Sequence, residues 1–304
     1  MNKLSPIVLF VYNRPWHTRQ TVEALQKNPL AKESELFIFS DGPKDEISIN
    51  KVLEVRQYLK TISGFMTVTI MERKENIGLA RSITEGVTEI VNRFGKIIVL
   101  EDDIVTSPFF LEYMNEALEM YQNDEKVISI HGYIFPVKKL LPEIFMLKNP
   151  SCWGWATWKR GWKLFESDGK KLITELEQRK LTKKFDFDGS FPYTNMLRRQ
   201  IAGISNSWAV RWYASAFLKD KLTLYPGKSL VINIGQDGSG THCGSQNLYK
   251  TQLTTEKINV KRLSLEENLE VRKIITQYFK SIKPSIFDRI MMKLKSYIRN
   301  AKYN

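Results

Sequence analysis

Cysteine and histidine are both scarce in this chain of 304 residues, which holds two of the first and three of the second. Cys152 and Cys243 have no metal-type spacing and make no disulfide framework, so a reduced, cytoplasmic compartment is the simpler expectation. Long hydrophobic runs are missing as well. After one lysine the N-terminus offers only the short apolar and aromatic stretch Ile7 to Tyr12, too little for a signal-peptide core, and no segment elsewhere is long enough to span a bilayer. No internal repeat or low-complexity tract is visible. What remains is an ordinary globular composition, 42% hydrophobic and 12% aromatic, able to bury a full core as one large domain or a domain with an appendage. A formal charge of +13 points to a polyanionic partner such as nucleic acid, anionic lipid or a phosphorylated small molecule. No recognised nucleic-acid motif accompanies it, so nucleic acid is not expected.

Residues 1–150 alternate short apolar runs with helical patterns. Ile7 to Val11, Leu36 to Phe39, Met66 to Met71 and Lys96 to Leu100 read as strands, followed later by Val127 to Ile130. Pro15 to Lys27, Ser48 to Ile62, Gly78 to Phe94 and Phe109 to Tyr121 read as helices, the last with Ser107 as N-cap and Pro108 at the first helical position. That order predicts an α/β fold with a βα-alternating, mainly parallel sheet. Beyond residue 150 the pattern breaks into aromatic and glycine-rich pieces, where acceptor-facing structure is expected. Ser264-Leu265-Glu266-Glu267 has the form of a capping box opening a helix to about Ile282. After Pro284 a second helix carries an apolar stripe from Ile286 to Ile298 and a basic opposite face, which suits residues 285–304 to an anionic membrane interface. The expected division is therefore 1–253, with halves 1–150 and 151–253, and a helical appendage 254–304.

The strongest chemical signal is Glu101-Asp102-Asp103 at the end of a buried strand. Open α/β sheets place ligands at the carboxyl ends of their strands, and three crowded carboxylates repel one another unless a cation is present. Hard oxygens suit Mg²⁺ or Mn²⁺, ions that usually share their shell with substrate phosphates. Two other strand ends face the same edge: Tyr12-Asn13-Arg14-Pro15 and Ser40-Asp41-Gly42-Pro43. Asp41 can accept the imino proton of a pyrimidine, Arg14 can meet charge, and a metal on Asp103 can grip a diphosphate. Asn76-Ile77-Gly78-Leu79-Ala80-Arg81 adds a glycine at a helix start beside an arginine, a combination that favours phosphate oxygens. Indole faces stack on sugar rings, and Trp153 and Trp155, flanking a glycine, are the pair expected near a pyranose.

Taken in order, these motifs resemble the nucleotide-sugar-binding half of GT-A fold glycosyltransferases. The resemblance is to the branch containing N-acetylglucosaminyltransferase I and bacterial glycan-assembly homologues, and it covers roughly residues 6–245. It implies that Arg14 and Asp41 contact the nucleotide, that Asp103 binds Mn²⁺, and that Asp102 lies near the ribose or sugar. Ser151 to Ala156 is similar to the segment walling the donor sugar. Trp208 to Trp212 is similar to a later Trp-rich segment, and Gly238 to His242 to a glycine-rich loop ending in His, where His242 would complete the metal shell or meet the diphosphate. The implied function is transfer of a sugar from a nucleotide donor, expected to be UDP-linked, to a glycan or lipid-linked acceptor in cell-surface polysaccharide synthesis, at or near the inner membrane face.

One departure stands out. The family's catalytic base is an aspartate just after the first tryptophan of the later segment, where this chain has Ala209. An inverting transfer needs another base within reach of the acceptor hydroxyl, and Asp188 and then Asp237 are the candidates. Three alternatives compete with the transferase reading. A sugar-phosphate nucleotidyltransferase shares the sheet type but wraps its triphosphate in a glycine-rich loop after strand one, which is absent here. A P-loop fails because Leu222 stands where Gly227-Lys228-Ser229 would require glycine. A binding module that has lost catalysis draws on Ala209 alone.

Overall fold

The computed structural model describes residues 3–238 and 247–283. The first half follows a βα rhythm: β1 (Ile7–Val11), α1 (Pro15–Gln26), β2 (Glu35–Ser40), α2 (Glu46–Leu59), β3 (Thr67–Glu72), α3 (Leu79–Phe94) and β4 (Lys96–Glu101). After it come β5 (Ile104–Thr106), α4 (Phe110–Met120), β6 (Val127–His131), β7 (Ile144–Leu147) and β8 (Trp155–Trp158). The helices α5 (Lys159–Trp162), α6 (Gly169–Gln178), α7 (Thr182–Phe185), α8 (Tyr193–Ile201) and α9 (Trp208–Leu218) lead to β9 (Leu222–Pro226), β10 (Val231–Asn233) and α10 (Leu269–Ser281).

Among the described residues, eight strands form one sheet in the order β3-β2-β1-β4-β8-β6-β9-β7. Its first four strands are mutually parallel, β8 is antiparallel to β4 and β6, and β7 is antiparallel to β9. The fold is therefore α/β, with a mixed, mainly parallel, Rossmann-like sheet. β1 to β3 run outward in one direction while β4 lies on the other side of β1, so the strand order reverses between β1 and β4. In open α/β sheets that reversal opens a crevice at the carboxyl ends of the two strands.

Apolar runs buried on both faces explain the central strands: every residue of β1 is buried, as is Ile97 to Leu100 of β4. Val22, Leu25, Val55, Leu59, Leu111, Met114 and Leu118 cover one face. Ile83, Val87, Ile90 and Val91 of α3 cover the other, with Trp155, Trp162, Trp208 and Trp212. Gly86 lets α3 lie close on the sheet, since a Cβ there would come within 2.8 Å of the Phe10 ring.

Two local readings are corrected. Ser107 and Pro108 form a turn before α4 rather than its first residues; Ser107 Oγ accepts the Phe109 N–H at 3.3 Å, and Phe109 is the uncapped N-cap. The capping-box pattern at Ser264 opens no helix. α10 begins at Leu269, with the Asn268 side chain accepting the Val271 N–H. Glu267 instead turns inward to pair with Arg272 at 3.4 Å, both side chains nearly buried.

Residues 254–283, expected within the appendage 254–304, pack onto the sheet. Val271, Ile275 and Phe279 join a third apolar cluster with α6, α7, α8 and α9. Arg272 also donates to the Lys184 carbonyl at 2.7 Å and stacks over Phe187. Residues 285–304, the expected membrane helix, lie outside the described residues. Among the described residues no helix is long and apolar enough to cross a membrane.

Two predictions follow from this packing. Phe279 meets the rings of Phe135, Phe187 and Phe191 at centroid distances of 4.9, 5.4 and 4.6 Å. Phe279→Ala should destabilise the whole fold by about 3–5 kcal/mol in urea unfolding, whereas independent melting of a C-terminal unit would contradict the shared core. His131 is fully buried, and burial pushes its pKa down to about 3. The unfolded imidazole binds its proton near pH 6.5, so stability falls as pH drops from about 6.5 toward 3. His131→Gln should flatten that part of the stability profile; an unchanged slope would remove His131 as its source.

Candidate functional site

Backbone register builds the site. Phe10 of β1 pairs with Glu101 of β4, so the residues following each strand emerge side by side at the point where strand order reverses. The β1–α1 link is only Tyr12, Asn13 and Arg14, with Pro15 opening the helix. Asp102 and Asp103 form the turn between β4 and β5, and β5 pairs antiparallel with β10. That small two-stranded sheet brings the segment after β10 across the acids.

Arg14 stands at the centre. Its Nη1 donates to Asp103 Oδ2 at 2.8 Å and lies 3.6 Å from Asp102 Oδ1, while Nη2 donates to the Gly235 carbonyl at 3.3 Å. Asp103 is tied further through its carbonyl, which accepts the Ile234 N–H at 2.9 Å. Gly235 approaches so closely that a Cβ would lie 2.1 Å from Asp103 Oδ2 and 2.7 Å from Arg14 Nη2. A side chain at 235 would have to displace the Arg14–Asp103 pair. The Asp102 turn is pinned by Thr21, whose hydroxyl donates to the Asp102 carbonyl at 2.8 Å.

The acids carry a heavy electrostatic load. Burial, then the Asp103 charge, push the Asp102 carboxyl up to about 7, against the opposing pull of Arg14 and the Tyr12 N–H. Burial and both neighbouring aspartates raise Glu101 well above the usual carboxylate range. Positive charge at this edge is thus under-supplied, which is the condition under which a cation or a cationic ligand group gains most.

Asp41, at the end of β2, is 5% exposed and organises the neighbouring loop. Its Oδ1 accepts from the Gly42 and Ile77 N–H groups at 3.0 Å each, and Oδ2 accepts from the Gly78 N–H at 2.9 Å. Asn76 completes the link by donating to the Gly42 carbonyl at 2.8 Å. The start of α3 is thereby fastened to β2, and Oδ2 keeps one lone pair for a further donor.

The remaining sequence candidates are scattered. Asp237 is brought in: it pairs with His17 Nε2 at 3.1 Å and with Arg14 Nη2 at 3.7 Å. Asp188 pairs with Arg272 of α10 at 3.6 Å, in a left-handed turn with φ 58°. That contact turns it toward the helical side rather than toward the acids. Arg81 is mostly exposed and binds Glu85 at 2.6 Å, an i,i+4 pair on the surface of α3. Trp155 is corrected from a sugar platform to a core residue: it is fully buried, 5.4 Å from Trp208 and 5.7 Å from Trp162 between ring centroids. Trp153 is only partly buried, edge-on to Tyr133 at 4.6 Å. Ala209 lies in the first turn of α9, behind the Ser207 cap. His242 lies outside the described residues. Sequence reasoning overlooked His17 and Thr21; the only hint was a histidine three positions after Arg14.

No family model matches the chain, and no curated protein matches it. Among solved structures, it is similar to a mannosyltransferase from Pyrobaculum calidifontis in complex with GDP-Man and Mn²⁺, at 12% identity and a TM-score of 0.39, over 71% of this chain and 74% of that one. It is also similar to a UDP-glucose pyrophosphorylase complexed with UDP-glucose, at 12% identity and a TM-score of 0.36, over 73% and 90% of the two chains. Likenesses this distant do not decide a reaction, so the assignment rests on the site itself.

Among the described residues, no group of three or more His, Cys, Asp or Glu side chains is arranged to hold a metal ion. Asp102 and Asp103 offer carboxylate oxygens at one turn, a donor set that does not cage an ion. It does fit Mg²⁺ or Mn²⁺ in their common mode, with one or two carboxylates and the other positions left to water and phosphate. Arg14→Ala should leave the acids without their guanidinium and lower stability by about 3 kcal/mol. Arg14→Lys should recover only part of this, because an ammonium cannot serve Asp103 and the Gly235 carbonyl with a planar fork. Equal stability of all three proteins would show that the pairing carries no weight in the fold.

Proposed function

We propose that the protein is a nucleotide-sugar-dependent glycosyltransferase, using a UDP-linked donor and a glycan or lipid-linked acceptor. One observation carries the proposal: Arg14, Asp102 and Asp103 meet where strand order reverses, while Asp41, one strand away, is fastened to the start of α3. A nucleotide laid across that edge would find an acceptor for a base imino proton at Asp41 Oδ2. Its diphosphate would find the Arg14 guanidinium, and Asp102 would face the ribose or sugar.

Asp103, with Asp102, would hold Mn²⁺ or Mg²⁺, which neutralises charge developing on a departing diphosphate. Arg14 shares that electrostatic task from a fixed position, since Asp103 and the Gly235 carbonyl orient it before any ligand arrives. Trp153 retains an accessible indole for a sugar ring. Of the two candidates for the base, Asp237 is the one that reaches the site, and Asp188 stands second. The nucleotidyltransferase reading is weaker, because a β1–α1 link of three residues without glycine gives little backbone with which to wrap a triphosphate. Retention of the three acids argues against a binding module that has lost catalysis. Action at the inner membrane face, through residues 285–304, belongs to the same proposal.

Thermal melts with UDP-, GDP- and dTDP-sugars, with and without Mn²⁺, test the donor site. A UDP-sugar should stabilise the protein only when metal is present, by about 2.7 kcal/mol at a hundred times its Kd, and Asp103→Asn should abolish the effect. Stabilisation indifferent to both metal and Asp103 would sink the assignment. Sedimentation with anionic vesicles, before and after truncation at Lys283, tests the membrane expectation; equal binding by the two forms would end it.

A further inference from the structure

His17 has no part in the site as first read, yet it closes a small cluster against Arg14. Its Nε2 lies 3.3 Å from Arg14 Nη2 and 3.1 Å from Asp237 Oδ2, and the second oxygen of Asp237 lies 3.7 Å from the same Nη2. A bare Nε2 accepts from Arg14, whereas a proton on Nε2 is donated to Asp237; in that second tautomer a guanidinium N–H and an imidazole N–H face one another at short range. Two donors at that separation need a shared acceptor, and one carboxylate, one oxygen to each, supplies it.

Exposure divides the three groups unequally. The side chains of Arg14 and His17 are 15% and 9% exposed, that of Asp237 45%. The two donors are thus recessed and fixed: Arg14 by Asp103, His17 by its place in the first turns of α1 and its edge contact with Trp16. The anion is the outer partner, carried on a segment with Gly235 on one side and Gly238, at φ 87°, on the other. A phosphate, like a carboxylate, presents a pair of oxygens to two N–H donors, with more charge.

We propose that Arg14 and His17 form the seat for the terminal phosphate of a nucleoside diphosphate group, and that Asp237 is its resident anion when no ligand is bound. The inference rests on the donor-site reading above and deepens it. Binding is then an exchange of oxyanions: phosphate oxygens take the two N–H groups and Asp237 withdraws, while departure of the nucleoside diphosphate lets the carboxylate return. No bond is made or broken in the exchange. The carboxylate set aside in this way is also the better placed of the two candidate bases, so donor binding and release of the base from its cationic partners would be one event.

Calorimetric titration of the full chain with UDP, GDP and inorganic pyrophosphate, each with Mg²⁺ or Mn²⁺ present, tests the seat. Asp237→Asn, which keeps the shape and removes the charge, should bind each ligand that wild type binds about three- to tenfold tighter, the range of one ordinary hydrogen bond. Asp237→Ser should do the same, so that the result does not hang on one substitution. His17→Phe should bind about three- to tenfold more weakly, His17→Gln should recover part of the loss, and the gain from Asp237→Asn should shrink in the His17→Phe background. If UDP or GDP binds but both Asp237 variants bind it equally or more weakly, the seat is wrong and the donor-site reading stands. If pyrophosphate alone binds, and more tightly to the Asp237 variants, the seat stands and the nucleotide reading falls. If wild type and variants bind none of the three, both are overturned.

Discussion

A single guanidinium between carboxylates governs the carboxyl edge of the sheet. Register places Glu101, Asp102 and Asp103 in one recess, burial penalises their charge, and Arg14 is the cation that makes the recess tolerable. The demands spread outward from that pairing. Glycine at 235 leaves the paired side chains the space a Cβ would take, and β5 with β10 bring that backbone across. Even Thr21, a helix away, serves to hold the Asp102 carbonyl. A ligand that binds here must replace these contacts with better ones, which favours a polyanion bearing its own counter-ion over a neutral sugar.

The scaffold separates rigidity from recognition. β1 to β4 and their helices form a parallel half whose strand ends supply the charged groups. β8, antiparallel between β4 and β6, joins that half to the second and carries Trp155 into a tryptophan cluster beneath α3 and α9. The cluster is structural, since large aromatics bury much apolar area, whereas Trp153 packs against the other core beside Tyr133 and Tyr249. On the far side, α10 closes a third core through Phe279 and a nearly buried Arg272–Glu267 pair.

Legibility in the sequence tracked the range of the forces involved. β1, β2 and β4 were readable because continuous β-branched and aromatic runs admit few alternatives, and α3 because Ile83, Val87, Ile90 and Val91 repeat at helical spacing. Asp41, Asp102, Asp103 and Arg14 were readable as candidates because they follow such strands. β5 and β10 were not, since three-residue strands carry too little pattern. Ser264 and Ser107 misled because a capping residue is only a local offer. Asn268 won at α10 once Glu267 found Arg272, and Ser107 was absorbed into a turn. Trp155 beside Trp153 could not be sorted without knowing that β8 begins at Trp155 and leaves Trp153 in the bend before it.

Local composition and periodicity therefore determined the fold class, the parallel first half and the identity of the acidic centre, because hydrophobic runs and strand-end carboxylates are properties of neighbouring residues. The tertiary structure decided the partners. It set Arg14 on Asp103, drew Asp237 and His17 to the same guanidinium, turned Arg81 to Glu85 and Asp188 to Arg272, and brought Gly235 against the Arg14–Asp103 pair. Apart from the Arg81–Glu85 pair and the approach of His17 to Arg14, each of those outcomes joins residues distant along the chain, so no window on the sequence contains both partners, and only the strand register and the packing of the helices bring them within a few ångströms.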